Sequence, residues 1–292
     1  MRVQDRTGNS VGRADLDDVF TEAAKNQYRA LFSTVMAEYS SRVSKRSLGV
    51  IEELFSLGIM TGGMLLLRVL AGAPTHHGMP IIPFVVSGLV LFWMLRTTMF
   101  RVATFKSAKA AFKNNPRVTA LDVLASRAIL NTAFYVVLAY PIFGLMYLFG
   151  VSPPVHDPWA MFLLMLLMGV WAFSLGLCFG ALFLYVPFAR TVVQGMMMAV
   201  MWTSGILFIW PEAPYMFRGA LYYNPVFHFM ELMRTVYFSS YITAMGSWYY
   251  IGIVVSVTLA FGLMLERVVR RRAESTVQRV AATEESFDGE GL

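Results

Sequence analysis

The sequence predicts an all-α polytopic membrane protein. It has six transmembrane helices with both ends in the cytoplasm, an N-terminal interfacial amphipathic helix and a re-entrant helical hairpin before the last span. Three observations lead there. Of 292 residues, 57% are hydrophobic and 14% charged, where soluble domains carry roughly 25% charged residues. The polar residues crowd into 1–47, 101–127 and 266–292, with long apolar stretches between them. The basic residues fall on alternate sides of those stretches.

A helix rising 1.5 Å per residue needs about 20 apolar residues to cross a bilayer. Six segments meet this: 49–70, 81–100, 129–149, 159–185, 192–210 and 248–265. Gly72-Ala73-Pro74, Pro153-Pro154 and Val186-Pro187 punctuate the gaps. Lys and Arg number 20 on one side, in the N-terminal segment, the second and fourth loops and the tail; only Arg218 and Arg234 occupy the opposite side. Positive charge stays inside, so N- and C-termini are cytoplasmic. The net charge of +6 is therefore a topology signal and not a nucleic-acid footprint. The chain divides into a disordered cytoplasmic N-terminus (1–24), the interfacial helix (25–47), a six-span domain (48–267) and a cytoplasmic tail (268–292). Residues 1–24 are polar and lack the pattern of a signal peptide.

Three further segments carry structure of their own. Tyr28, Leu31, Phe32, Val35, Met36, Tyr39 and Val43 recur at helical spacing, with Lys25, Arg29, Ser33 and Ser40 facing away. Such a helix lies in the cytoplasmic interface, and Glu38 precedes Arg42 in the favourable i,i+4 order. It reads either as a surface anchor or as a gate beside a lateral opening. In the second loop, Phe105–Asn115 (FKSAKAAFKNN) favours helix and stops at Asn114-Asn115-Pro116. Phe105 and Phe112, shown to water beside Lys106, Lys109 and Lys113, suggest a docking knob for a cytoplasmic partner; a helix lying on lipid is the alternative. Residues 211–241 are too polar to span and too apolar for an ordinary external loop. Asn224-Pro225 reads as a helix start, and His228, Glu231 and Arg234 follow along one edge. Irregular backbone at membrane depth must be buried in protein or line a cavity, so this hairpin reads as a cap over the bundle or as an exit vestibule.

This ordered set, with AEYSSRVSKRSLG (37–49) and YYNPVFHFMELMRTVYF (222–238) as its local signatures, resembles the membrane subunit of type-2 ATP-binding-cassette exporters over roughly residues 25–270. Within that family it is most similar to the capsular polysaccharide export permeases of Gram-negative bacteria, in which Asn-Pro followed by Glu and Arg is typical. It is less similar to O-antigen permeases, which usually carry Arg-Glu in the interfacial helix where this chain has Ala37-Glu38. The resemblance implies a multi-pass inner-membrane homodimer paired with two copies of a stand-alone ABC ATPase. It also implies a lipid-linked capsular polysaccharide as cargo and a periplasmic polysaccharide-export partner. ATP and Mg belong to the ATPase; this chain has no GxxxxGK[ST] and takes no cofactor. By the same resemblance, Phe105, Lys109, Phe112 and Asn114 belong to a coupling loop (104–117). Tyr39, Glu38 and Arg42 belong to the gate helix, and the first and fifth spans face the pathway.

Ionisable groups inside a bilayer cost about 2.5–3.5 kcal/mol at mid-depth. Glu52 and Glu53 sit one turn into the first span, Arg96 near the cytoplasmic end of the second, and Arg68 near the external end of the first, where topology disfavours it. Arg68 and Arg234 are candidate exit cations for an acidic polymer, and Trp202, Phe208, Trp210 and Tyr223 candidate aromatic surfaces for sugar rings. An ordinary interfacial belt, and neutralisation of Arg234 by Glu231, are the plainer readings. One Cys (Cys178) and four His supply neither a disulfide nor a metal site, and no catalytic residue is assigned. A membrane glycosyl or acyl transferase would need clustered carboxylates, whereas Glu52 and Glu53 diverge by about 100° on a helix. A secondary transporter would show midplane polar residues and repeat symmetry; neither is evident.

Overall fold

The computed structural model describes residues 75–105 and 119–289, with side chains for 77–105 and 119–271, and parts of 21–40 and 55–70. The described residues of 21–40 and 55–70 are helical, Thr21 and Glu22 included, so helix begins ahead of residue 25. Strands β1 (Thr75–His76) and β2 (Met79–Pro80) pair across His77-Gly78, whose φ angles are 49° and 80°. Two left-handed residues give the tight turn a two-stranded ribbon favours.

Helix α1 (Ile81–Val102) starts directly afterwards, with Pro83 in the first turn where no helical N–H partner is needed. Helix α2 (Ala120–Leu148) begins nine residues before the apolar pattern does, because Thr119 and Asp122 form a capping box. Pro141 interrupts its backbone ladder. Helix α3 (Pro158–Tyr185) is capped by Asp157, which accepts from the Ala160 N–H at 3.0 Å, with Pro158 at the first position. These three and the 248–271 part of α7 (Trp248–Gly289) are long and apolar enough to cross a bilayer, among the described residues.

The fifth predicted span differs from expectation. Helix α4 (Ala189–Thr203) has 15 residues and stops well before Trp210. It is about 22 Å long, short of a bilayer core of about 30 Å. The chain leaves helix at Ser204, turns at Gly205 and re-forms only as a 3₁₀ turn at Trp210–Glu212. Two short helices follow, α5 (Tyr215–Tyr222) and α6 (Pro225–Tyr237).

Helix α3 sits at the centre, with α1, α2, α6 and α7 packed on it. Its glycines set those distances. A Cβ on Gly176 would lie 2.5 Å from Val102 Cβ and 2.9 Å from the Met99 carbonyl, and one on Gly180 3.1 Å from Ala103 Cα. Gly262 of α7 meets the Ser174 carbonyl in the same way, at 2.8 Å. Small residues of this kind let helices approach where lipid offers no hydrophobic drive. Gly58, Gly62 and Gly63 meet nothing within 4 Å among the described residues. Helix α1 is enclosed along most of its length, whereas α2 and α7 turn bulky side chains such as Val137, Leu145, Val257 and Phe261 outward. An apolar surface of that extent is a surface for lipid or another protein.

Candidate functional site

The candidate site is built from the break after α4. Gly205 has a φ of +76°, and a Cβ there would lie 2.6 Å from the Phe227 ring, so the turn needs glycine for conformation and for space. Ser204, Gly205 and Ile206 are buried, and the carbonyls of this stretch have lost their helical donors. Arg234 of α6 replaces them. Its Nη1 donates to the Phe208 carbonyl at 3.0 Å and its Nη2 to the Gly205 carbonyl. Nη1 also reaches Glu231 Oε1 at 3.4 Å, and the guanidinium lies 4.0 Å from the centre of the Phe84 ring.

Glu231 is fully buried and collects the remaining donors. Oε1 accepts from the Trp210 N–H at 3.1 Å, and Oε2 accepts from Tyr241 Oη at 2.5 Å and Thr243 Oγ1 at 2.8 Å. Thr243 Oγ1 in turn accepts from the N–H groups of Met245 and Gly246. A buried ion pair with its lone pairs and protons satisfied in this way is tolerable; an unsatisfied one is not. Burial lowers the Arg234 pKa to about 10, with Glu231 opposing, so the group stays a cation at neutral pH. Burial, then Glu231, raises that of Tyr241, which keeps its hydroxyl a donor.

Helix α6 positions this pair. Asn224 Oδ1 accepts from the Val226 N–H at 3.0 Å, with Pro225 at the first helical position. Burial lowers the His228 pKa, and the neutral ring bonds the Tyr222 carbonyl through Nε2 at 2.9 Å. The far end is tied to the α2–α3 loop, where His156 and Asp157 N–H groups donate to the Tyr237 and Val236 carbonyls. Trp171 of α3 stacks on Phe229 at 5.5 Å. Outside this fixed helix, α5 exposes Tyr215, Met216 and Phe217. Its cation Arg218 folds back over Trp210 to donate to the Ala213 and Pro211 carbonyls.

The family profile of ABC-2 type transporters matches residues 29–238, most of the chain. The chain belongs to the ABC-2 type transporter family. It is 25% identical over 248 residues to the capsule polysaccharide export inner-membrane protein CtrC of Neisseria meningitidis, covering 84% of this chain and 93% of that one. It is 26% identical over 250 residues to the polysialic acid transport protein KpsM of Escherichia coli, covering 84% and 94%. To the capsule polysaccharide export inner-membrane protein BexB of Haemophilus influenzae it is 22% identical over 245 residues, covering 84% and 91%.

In this ABC-2 chain the residues singled out from sequence fall in several places. Arg42, Arg68, Lys109, Phe112 and Asn114 lie outside the described residues, as do Glu52 and Glu53. Trp202 and Tyr223 are exposed, and Phe208 and Trp210 half-buried around the Phe227 ring. Tyr39 is exposed, and Glu38 reaches Arg127 Nε at 3.6 Å. Two readings are corrected. Arg234 does not face an exit; the acid one turn before it and the broken backbone beside it draw it inside. Phe105 is no surface knob: it is buried against Val123, Leu124, Leu177 and Val269, in space that Gly180 leaves open. Arg96 lies along α1 over the Trp93 and Phe100 rings, at 5.3 and 5.9 Å.

Tyr241, Thr243 and Asn131 escaped the sequence reading. Asn131 of α2 donates from Nδ2 to the hydroxyls of Thr97 and Thr98 in α1, at 3.0 and 2.8 Å. A signal existed for the break itself: an isolated glycine near the end of an apolar run, with Trp-Pro after it, is a helix-stop pattern.

Proposed function

We infer that this chain is the membrane permease subunit of an ATP-driven exporter that carries capsular polysaccharide across the bacterial inner membrane. The observation that carries the inference is the match to relatives named for polysaccharide or polysialic acid transport, over 84% of this chain and more than nine-tenths of their length. The geometry after α4 fits it. A helix too short to span is completed by non-helical backbone, and such backbone survives at membrane depth only when protein groups satisfy it; Arg234 donates to the Gly205 and Phe208 carbonyls and Glu231 accepts from the Trp210 N–H.

The finer reading has six spans, with residues 49–70 and the α4 segment joining the four long helices. Both termini are cytoplasmic and 211–241 is re-entrant. Two copies assemble with two ABC ATPase subunits, which bind ATP and Mg, and a periplasmic export partner receives a lipid-linked polymer. Trp202, Phe208, Trp210 and Tyr223, with Arg68, form the outer pathway surface; Tyr39, Glu38 and Arg42 form the gate helix; Lys109, Phe112 and Asn114 couple to the ATPase. Deleting the gene tests the function: polysaccharide disappears from the cell surface, accumulates inside, and returns on complementation. Unchanged surface polysaccharide in the deletion strain would overturn the exporter reading.

A further inference from the structure

One side chain joins the residues that follow α1 to the start of α2. Arg127, in the second turn of α2, donates from Nη1 to Thr104 Oγ1 at 2.6 Å and to the Thr104 carbonyl at 3.3 Å. Its Nε lies 3.6 Å from Glu38 Oε1 on the interfacial helix. Arg127 and Glu38 are both largely shielded, with side-chain exposures of 13% and 26%, so screening by solvent is reduced. One turn along the interfacial helix, Thr34 Oγ1 lies 2.7 Å from Ser126 Oγ, giving a second link between the same two helices. Beneath the clamp, Phe105 packs with Val123 and Leu124 of α2 and Val269 of α7.

We propose that Arg127 is a positioning residue that makes the end of α1, the start of α2 and the interfacial helix move as one body. Movement that a partner ATPase imposes on Thr104 or on the start of α2 is then delivered to the interfacial helix. This rests on the exporter reading for its driving force, but the clamp itself is a property of the chain. Arginine suits the task because its planar fork serves Thr104 and Glu38 from different nitrogens at once, which a lysine ammonium cannot do. Sequence reading counted Arg127 only as a topology charge; its role depends on Glu38 and Thr104, far away in the chain, arriving at the same point.

The test is charge reversal in both directions: Glu38→Arg, Arg127→Glu, and the two together. Two readouts are taken at matched membrane abundance. Hydrogen–deuterium exchange of residues 32–40 in the purified protein reports the clamp directly. Cell-surface polysaccharide, with ATP hydrolysis by the co-purified permease–ATPase complex, reports coupling. Each single variant speeds exchange and lowers surface polysaccharide by roughly tenfold, in the range of a 5- to 150-fold coupling factor, while the ATPase stays bound and active. The double variant recovers to within about threefold of the unaltered protein, since the pair re-forms although Thr104 is lost. Should Arg127→Glu fail to accumulate, Glu38→Gln on the interfacial helix is read in its place. Unchanged exchange in the single variants, or no recovery in the double, overturns the clamp. Altered and recovered exchange with unaltered export overturns the coupling role. Surface polysaccharide that survives gene deletion overturns the exporter reading instead, and the exchange measurement still decides the clamp.

Discussion

Replacing Arg234 with Leu should be among the most damaging single changes in the described chain. Arg234 is 1% and Glu231 0% exposed, so removing the guanidinium strands a carboxylate inside the protein. Breaking a buried pair in this way costs about 3–5 kcal/mol. The Gly205 and Phe208 carbonyls lose their donor, at roughly 1 kcal/mol each. Glu231 keeps Tyr241, Thr243 and the Trp210 N–H, which soften its share, leaving on the order of 4 kcal/mol. Glu231→Leu is comparable, because it strands the cation and three donors. The double variant removes both charges and should be at least about 2 kcal/mol milder than the sum of the singles. A protein of this size loses roughly 2–4 °C per kcal/mol, so each single variant should melt about 10 °C below the unaltered protein. Heating detergent-solubilised protein and following the surviving size-exclusion peak measures this. Single variants within about 2 °C of the unaltered protein, or an additive double, would refute the argument that the pair sustains the broken backbone.

Gly176→Ala should lower the melting temperature more than Gly180→Ala, because its Cβ meets Val102 and a backbone carbonyl inside 3 Å rather than just beyond it; overpacking costs about 1–3 kcal/mol, and Gly195→Ala, with nothing within 4 Å, is the control. Phe105→Asp should fail to accumulate in the membrane, since it buries an unpaired carboxylate. Phe112→Asp should insert normally and lose bound ATPase on co-purification; retained ATPase with normal transport-stimulated hydrolysis counts against the docking knob. In a Cys178→Ala background, cysteine at Val155 should react with an impermeant thiol reagent added outside and cysteine at Ser107 should not; external labelling at Ser107 would reverse the topology.

The sequence by itself determined the class, the family and most of the long helices, because these depend on quantities that accumulate locally. Twenty apolar residues in a row and a Pro after an Asn mean the same thing whatever surrounds them. Asn224-Pro225 became a capped helix start as its chemistry requires. Tertiary structure alone decided which way the polar edges face. His228, Glu231 and Arg234 share one edge of an apolar helix, a pattern equally suited to a water-filled exit or to a sealed core. The choice was made by Gly205, which broke α4 and released two carbonyls, and by Tyr241 and Thr243, which closed the lone pairs of Glu231. Phe105 turned inward for a similar reason: Gly180, 75 positions away, leaves the space it fills. Periodicity reports that a face is different from its neighbours; only the partners brought to it across the fold determine whether it meets lipid, sugar or another side chain.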